Sequence, residues 1–173
     1  MSELKIVKNP VDGIEWQHTI TENTFDDATS DIINSAFKEF EEVIKGKEVF
    51  MSINCSSCHV PSFTTPQSDI DALSNKTIFP YSDLLLHDMG SGLDDGATEG
   101  SAETFEWRTP PLWGLGLAPE SQGGEFFLMH DGRAKSIQEA IELHGGEAQQ
   151  SRDDFVALSD ADKQALLKFL RSL

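Results

Sequence analysis

Apolar residues recur at helical spacing through residues 27–50, at Ile32, Ile33, Ala36, Phe37, Phe40, Val43 and Ile44. The pattern predicts a long helix broken at Gly46, then a short second helix over 47–53 that leads into Cys55. Residues 1–27 are mixed and weakly periodic, with Pro10, Gly13 and many acids, so 1–30 reads as an arm or connector ahead of a domain over 31–173. Through residues 61–124 periodicity lapses and Pro, Gly, Ser and Asp abound. So long an irregular stretch is uncommon in a compact domain unless something besides an apolar core organises it. A large cofactor would do so. Order returns at Ser136, which pairs with Glu139 as a capping box, and Ile137, Ala140, Ile141 and His144 share one helix face before Gly145-Gly146 stops it. Ser159 and Asp162 suggest another cap, ahead of a final amphipathic helix carrying Ala165, Leu166, Phe169, Leu170 and Leu173. There is no internal repeat and no heptad pattern. The expected fold is mainly α, with long irregular loops.

Composition narrows the function classes. The 173 residues suffice for one domain with a sizeable core. Thirty acidic against thirteen basic residues leave a formal charge of −17. Such a surface repels nucleic acid and anionic lipid, and favours a basic protein partner or simple solubility. Eleven Phe and three Trp against one Tyr give apolar filler of the kind a cofactor pocket needs, although a plain Phe-rich core looks the same. No apolar run approaches the roughly 18 residues of a membrane span. Met1-Ser2-Glu3-Leu4-Lys5 does not open a signal peptide.

Cys55-Ser56-Ser57-Cys58-His59 matches the c-type haem attachment pattern. Two thiols three positions apart can reach both vinyl-derived carbons of one porphyrin, and the adjacent His sets an imidazole under the iron. A redox CxxC usually lies in a βαβ context, which a helical approach does not offer. Zinc would need two further ligands, and the chain has no third Cys. A plain disulfide leaves His59 without a role. One covalent haem c is therefore expected, with His59 as proximal ligand. Because covalent attachment takes place outside the cytoplasm, the expectation is a periplasmic or otherwise extracytoplasmic protein, its chain trimmed or part of a longer one.

The sixth iron position has several candidates: His18, His87, His130, His144, Met51, Met89 and Met129. Met51 reads as core packing and His18 as a surface residue of the arm. Met129 and His130 precede an expected turn at Asp131-Gly132. His144 closes the apolar face of its helix, where Leu or Ile would be ordinary, and an imidazole there needs a partner. A backbone carbonyl or a propionate would serve as well as iron. On spacing alone His144 ranks only slightly ahead of Met89.

Four ordered segments then carry a resemblance: Cys58-His59-Val60-Pro61, the run from Tyr81 to Gly90, Glu106-Trp107-Arg108-Thr109-Pro110-Pro111-Leu112-Trp113-Gly114, and Leu128-Met129-His130-Asp131-Gly132-Arg133-Ala134. With the ending around Glu139–Ala148 and the terminal helix, residues 46–173 resemble the C-terminal haem domain of the bacterial di-haem oxidoreductase family, also called thiol oxidoreductase-like. That family is distantly similar to the di-haem cytochrome c peroxidases. The resemblance implies a cytochrome c-like domain with haem-wrapping loops, and a partner haem domain. The relatives' axial Met falls a fixed distance past the His-Asp-Gly turn, where this chain has His144, so the resemblance favours bis-His ligation with Met89 as the alternative. It also places Arg108 near a haem propionate, and makes His130, Asp131 and Arg133 a structural turn. "Thiol" chemistry has no support, since haem would consume both cysteines. One CxxCH where the family has two favours a single-electron carrier, working with a basic redox partner, over a peroxidase-like enzyme or a fragment of one. For the enzyme reading Asp88, Asp131 and Glu142 are the acid–base nominees.

Overall fold

The computed structural model describes residues 3–8, 15–20 and 27–173, with side chains from Asp31 onward. Strands β1 (Glu3–Lys8) and β2 (Glu15–Ile20) pair antiparallel, Glu3 opposite Ile20, within the expected arm. The side chain of His18 lies outside the described residues.

The body is mainly α. Helix α1 runs Asp27–Ser52 without interruption, so it starts inside the expected arm and is not broken at Gly46. The reason is packing. A Cβ on Gly46 would stand 2.0 Å from the Ala165 carbonyl oxygen and 2.7 Å from Phe169 Cβ. Gly46 is thus where helix α5 (Asp160–Arg171) crosses α1 with backbones nearly touching. The expected second helix is simply the end of α1; Val49 and Phe50 on it, and Ile53 just past its end, are buried in the core. Met51 lies on the other side of that turn, 47% exposed, and is not core packing as expected; neighbours on a helix sit about 100° apart.

The core is completed by Tyr81, Ile137, Phe155, Leu166, Leu167, Phe169 and Leu170. It therefore gathers at the C-terminal end of α1; Ile32, near the start, is 70% exposed. Burying side chains of this size contributes roughly 1.5–3 kcal/mol each. Helix α5 starts as its sequence indicates, with Ser159 accepting a hydrogen bond from the Asp162 amide at 3.2 Å.

The middle of the chain holds little regular structure. It contains two-residue strands β3 (Phe63–Thr64) and β4 (Thr77–Ile78), then β5 (Leu86–Asp88) and β6 (Glu106–Arg108), each couple antiparallel. A single-turn helix, α2 (Ala118–Ser121), follows. Helix α3 (Ile137–Glu142) is capped by Ser136, which accepts from the Glu139 amide at 3.0 Å. The Glu139 carboxylate answers one residue further back than a capping box requires, on the Lys135 amide. Helix α4 (Gln149–Ala157) has no counterpart in the sequence reading, because only Phe155 among its residues is buried and no apolar stripe forms.

Candidate functional site

The attachment motif follows directly on α1. Asn54 turns the chain through a left-handed conformation (φ 63°), and Cys55–Ser57 form a single 3-10 turn, with the His59 amide bonded to the Cys55 carbonyl at 3.0 Å. Cys55 and Cys58 are unbridged and partly buried. Burial pushes the Cys55 thiol up to about 12 and raises Cys58 as well. A redox-active CxxC needs the opposite shift, toward thiolate, so these cysteines lack the electrostatics of a dithiol catalyst.

His59 is partly buried, and desolvation lowers its pKa to about 4, which keeps the ring neutral at pH 7. Its Nδ1 donates to the Tyr81 carbonyl at 3.0 Å. Tyr81 is itself in the left-handed region (φ 53°), unusual for an aromatic residue, and its ring is wedged edge-on against Phe50 and Phe169. Tight packing of this kind is what sustains such a backbone strain. The Ser82 and Asp83 amides bond the Val60 and Cys58 carbonyls, so the 81–83 turn is laced to the CxxCH segment.

His144 comes from the opposite side. Helix α3 ends at Glu142, and His144 lies just past it, its amide on the Ile141 carbonyl at 3.1 Å, rather than on the helix face as expected. Its Nδ1 donates to the Ala140 carbonyl at 2.7 Å, and desolvation lowers its pKa too. The rings of His59 and His144 stand 6.5 Å apart, centre to centre, at 50°. Each is a neutral imidazole with Nδ1 tied to a backbone carbonyl and no partner on Nε2 among the described residues. This is the state in which histidine coordinates a metal, its tautomer set by the other nitrogen.

The other candidates are placed differently. Both ring nitrogens of His87 are engaged, Nε2 by Asp83 at 2.8 Å and Nδ1 by Glu147 at 2.9 Å. Hydrogen bonding to Glu147, and then to Asp83, raises the His87 pKa. Cys58, Asp83 and His87 offer three donor atoms within 4.8 Å of one another, but Asp83 and His87 already satisfy each other. His130 is stacked on Trp107, ring centres 3.5 Å apart, while the Trp107 indole donates to the Leu93 carbonyl. Asp131 accepts from the Arg133 amide and from its Nε at 2.6 Å, and Arg133 reaches the Gly92 carbonyl, which makes the 128–134 segment a tied turn. Met89 and Met129 are partly buried, and Met89 belongs to a backbone that presses on Gly145. Arg108, on β6 opposite Leu86, is exposed and has no ion-pair partner among the described residues.

Sequence reasoning did not single out Tyr81, Asp83 or Glu147. The Asp83–His87 spacing of four was the available signal, obscured because it falls in a turn and strand rather than a helix.

Two cysteines and a histidine on one turn, with a second histidine ring 6.5 Å from the first, are the donor types that a covalently held haem would need. Residues 28–173 match the family described as "Di-haem oxidoreductase, putative peroxidase", and the chain belongs to that family. No curated protein and no solved structure matches it. Among the described residues no helix is long and apolar enough to cross a membrane.

Proposed function

We propose that this chain is a c-type cytochrome module that holds one haem through Cys55 and Cys58, with His59 and His144 on the two faces of the iron, and carries single electrons. The observation behind this is the paired imidazoles. A metal–imidazole bond is about 2 Å long, which puts two rings on opposite sides of one ion roughly 6 Å apart, centre to centre. The 6.5 Å between His59 and His144 agrees with that spacing. The iron of such a haem supplies one-electron chemistry, at a lower potential with two imidazoles than with a thioether in one position.

Each residue has a part in this reading. Cys55 and Cys58 provide neutral thiols for the two thioether bonds. Tyr81 and Ala140 orient the axial rings through their carbonyls. The loops between α1 and α3 wrap the porphyrin in a cytochrome c-like manner. Arg108, an exposed guanidinium, is assigned to a haem propionate. Because the family is di-haem and this chain carries one CxxCH, a second haem domain is the natural neighbour. The net charge of −17 suits a basic redox partner. Covalent attachment places the protein outside the cytoplasm.

The test is the holoprotein matured with a haem-attachment system. Mass spectrometry of the denatured chain should show one covalent haem, lost in Cys55→Ala/Cys58→Ala. The ferric spectrum should be low-spin without a methionine band, and His144→Ala should turn it high-spin and open to carbon monoxide when reduced. If Met89→Ala does this and His144→Ala does not, Met89 is the ligand. A wild type already high-spin and reactive with peroxide would favour the peroxidase reading that the family description carries.

A further inference from the structure

His87 sits in a chain of contacts that runs from one face of the site to the other. The Asp83 amide is bonded to the Cys58 carbonyl at 2.8 Å, on the His59 side. One Asp83 oxygen caps the Leu85 amide and the other meets His87 Nε2. His87 Nδ1 meets one Glu147 oxygen, and the second Glu147 oxygen accepts from the Asp88 amide at 3.2 Å. Glu147 lies on the 3-10 turn Gly146–Ala148, three residues after His144.

Backbones interlock beside this chain. A Cβ on Gly145 would stand 2.8 Å from the Met89 carbonyl oxygen, and one on Gly146 only 2.1 Å from that of Asp88. The 86–90 segment is therefore the support on which the 144–147 segment rests. Its polar fastening is Glu147, which takes the Asp88 amide on one oxygen and on the other the His87 imidazole, itself held between two carboxylates; the side chains of His87 and Asp83 are only 16% and 11% exposed. An imidazole facing a carboxylate at each nitrogen must donate from both, so it is a cation. Neutral, it can satisfy only one of them.

We propose that His87 is a positioning residue whose bridge from Asp83 to Glu147 holds the His144 segment against the iron, so that losing the proton on His87 loosens the sixth position. This rests on His144 being the distal ligand. Other ionisable groups around His87 are Cys58 and His59 on the attachment segment, Asp88 beside it on β5, and Glu106 and Arg108 flanking its cross-strand partner Trp107 on β6. None of them bonds His87 directly; Asp83 and Glu147 do.

The experiment follows carbon monoxide binding to the reduced holoprotein, because that ligand is neutral and its association is limited by departure of the residue occupying the sixth position. Wild type should bind slowly at pH 6 and faster as pH rises through the elevated pKa of His87. In His87→Gln and in Glu147→Gln, binding should be about tenfold faster at pH 6, the size of one charge-assisted hydrogen bond, with the pH step gone. Covalent haem content should be unchanged. The Glu147 carboxylate is on the surface, so Glu147→Gln serves even if His87→Gln fails to fold. Wild-type rates and pH profile in the Glu147→Gln protein would overturn the proposal. His144→Ala separates the two ideas: if it does not open the site, the ligand assignment fails. If it opens the site while Glu147→Gln leaves binding slow, only the role of His87 fails.

Discussion

Tyr81 shows how much of the site depends on a residue whose sequence context gives no hint of it. Its carbonyl orients His59, its ring closes the core between Phe50 and Phe169, and its backbone is held at positive φ. Its hydroxyl is buried without a hydrogen-bond partner among the described residues. An unsatisfied buried hydroxyl costs roughly 1–3 kcal/mol of desolvation, so removing it should be neutral or favourable. Tyr81→Phe is expected to leave the denaturation midpoint unchanged or raise stability by about 1 kcal/mol, with the haem spectrum intact. A clear loss in urea titration would mean that the hydroxyl has a partner in the holoprotein. CxxCH was legible because the chemistry is local: three side chains within five residues. The carbonyls of Tyr81 and Ala140, which set the imidazole tautomers, were not, since any residue type supplies a carbonyl and only the fold selects which one.

At the level of elements, hydrophobic periodicity found α1, α3 and α5 but misread Gly46. Glycine inside a helical pattern reads as a break because of its backbone entropy, and only the tertiary contact with Ala165 reveals it as a crossing point. Helix α4 escaped for the converse reason: one buried Phe155 makes no period. The strands β3–β6, two or three residues each, are below what alternation can register. Gly46→Ala tests the crossing. Helix propensity alone would favour Ala by about 1 kcal/mol. A Cβ 2.0 Å from a carbonyl oxygen cannot be accommodated without prising α5 from α1, and overpacking of this kind costs about 1–3 kcal/mol or more. Net destabilisation of at least about 1 kcal/mol is expected in chemical denaturation, together with loss of near-ultraviolet signal from Phe50 and Tyr81. A stabilised Gly46→Ala protein would mean that the helices have room to separate.

The whole molecule carries a charge of −17, which acts on encounter and on stability alike. Electron transfer with a basic partner should slow as salt rises, because the Debye length shrinks from about 10 Å at 0.1 M to about 3 Å at 1 M. Rates independent of salt would rule out charge steering. The same charge destabilises the folded chain through self-repulsion that grows as pH rises. The Asp83–His87–Glu147 bridge contributes in a different pattern. His87 has a raised pKa, mainly through its bond to Glu147, so its contribution is complete below the unfolded value of 6.5 and disappears as pH climbs through the folded one. Asp83 and Glu147 are lowered: burial opposes the shift at Asp83, where bonds from Leu85, His87 and Thr109 outweigh it, and the bond to His87 leads at Glu147. Their contributions are complete above the unfolded values of 3.8 and 4.5, and are lost as pH falls through the folded ones. The bridge is therefore fully effective between about pH 4.5 and 6.5. Subtracting the urea stability of His87→Gln from that of wild type removes most of the self-repulsion, which both share. The difference should peak near pH 5.5 at about 1 kcal/mol, a figure kept low because the Glu147 carboxylate is exposed to solvent. It should shrink toward both acid and alkaline pH. A difference that stays flat across this range would show that His87 contributes by packing alone, and that the two faces of the site are not joined through its charge.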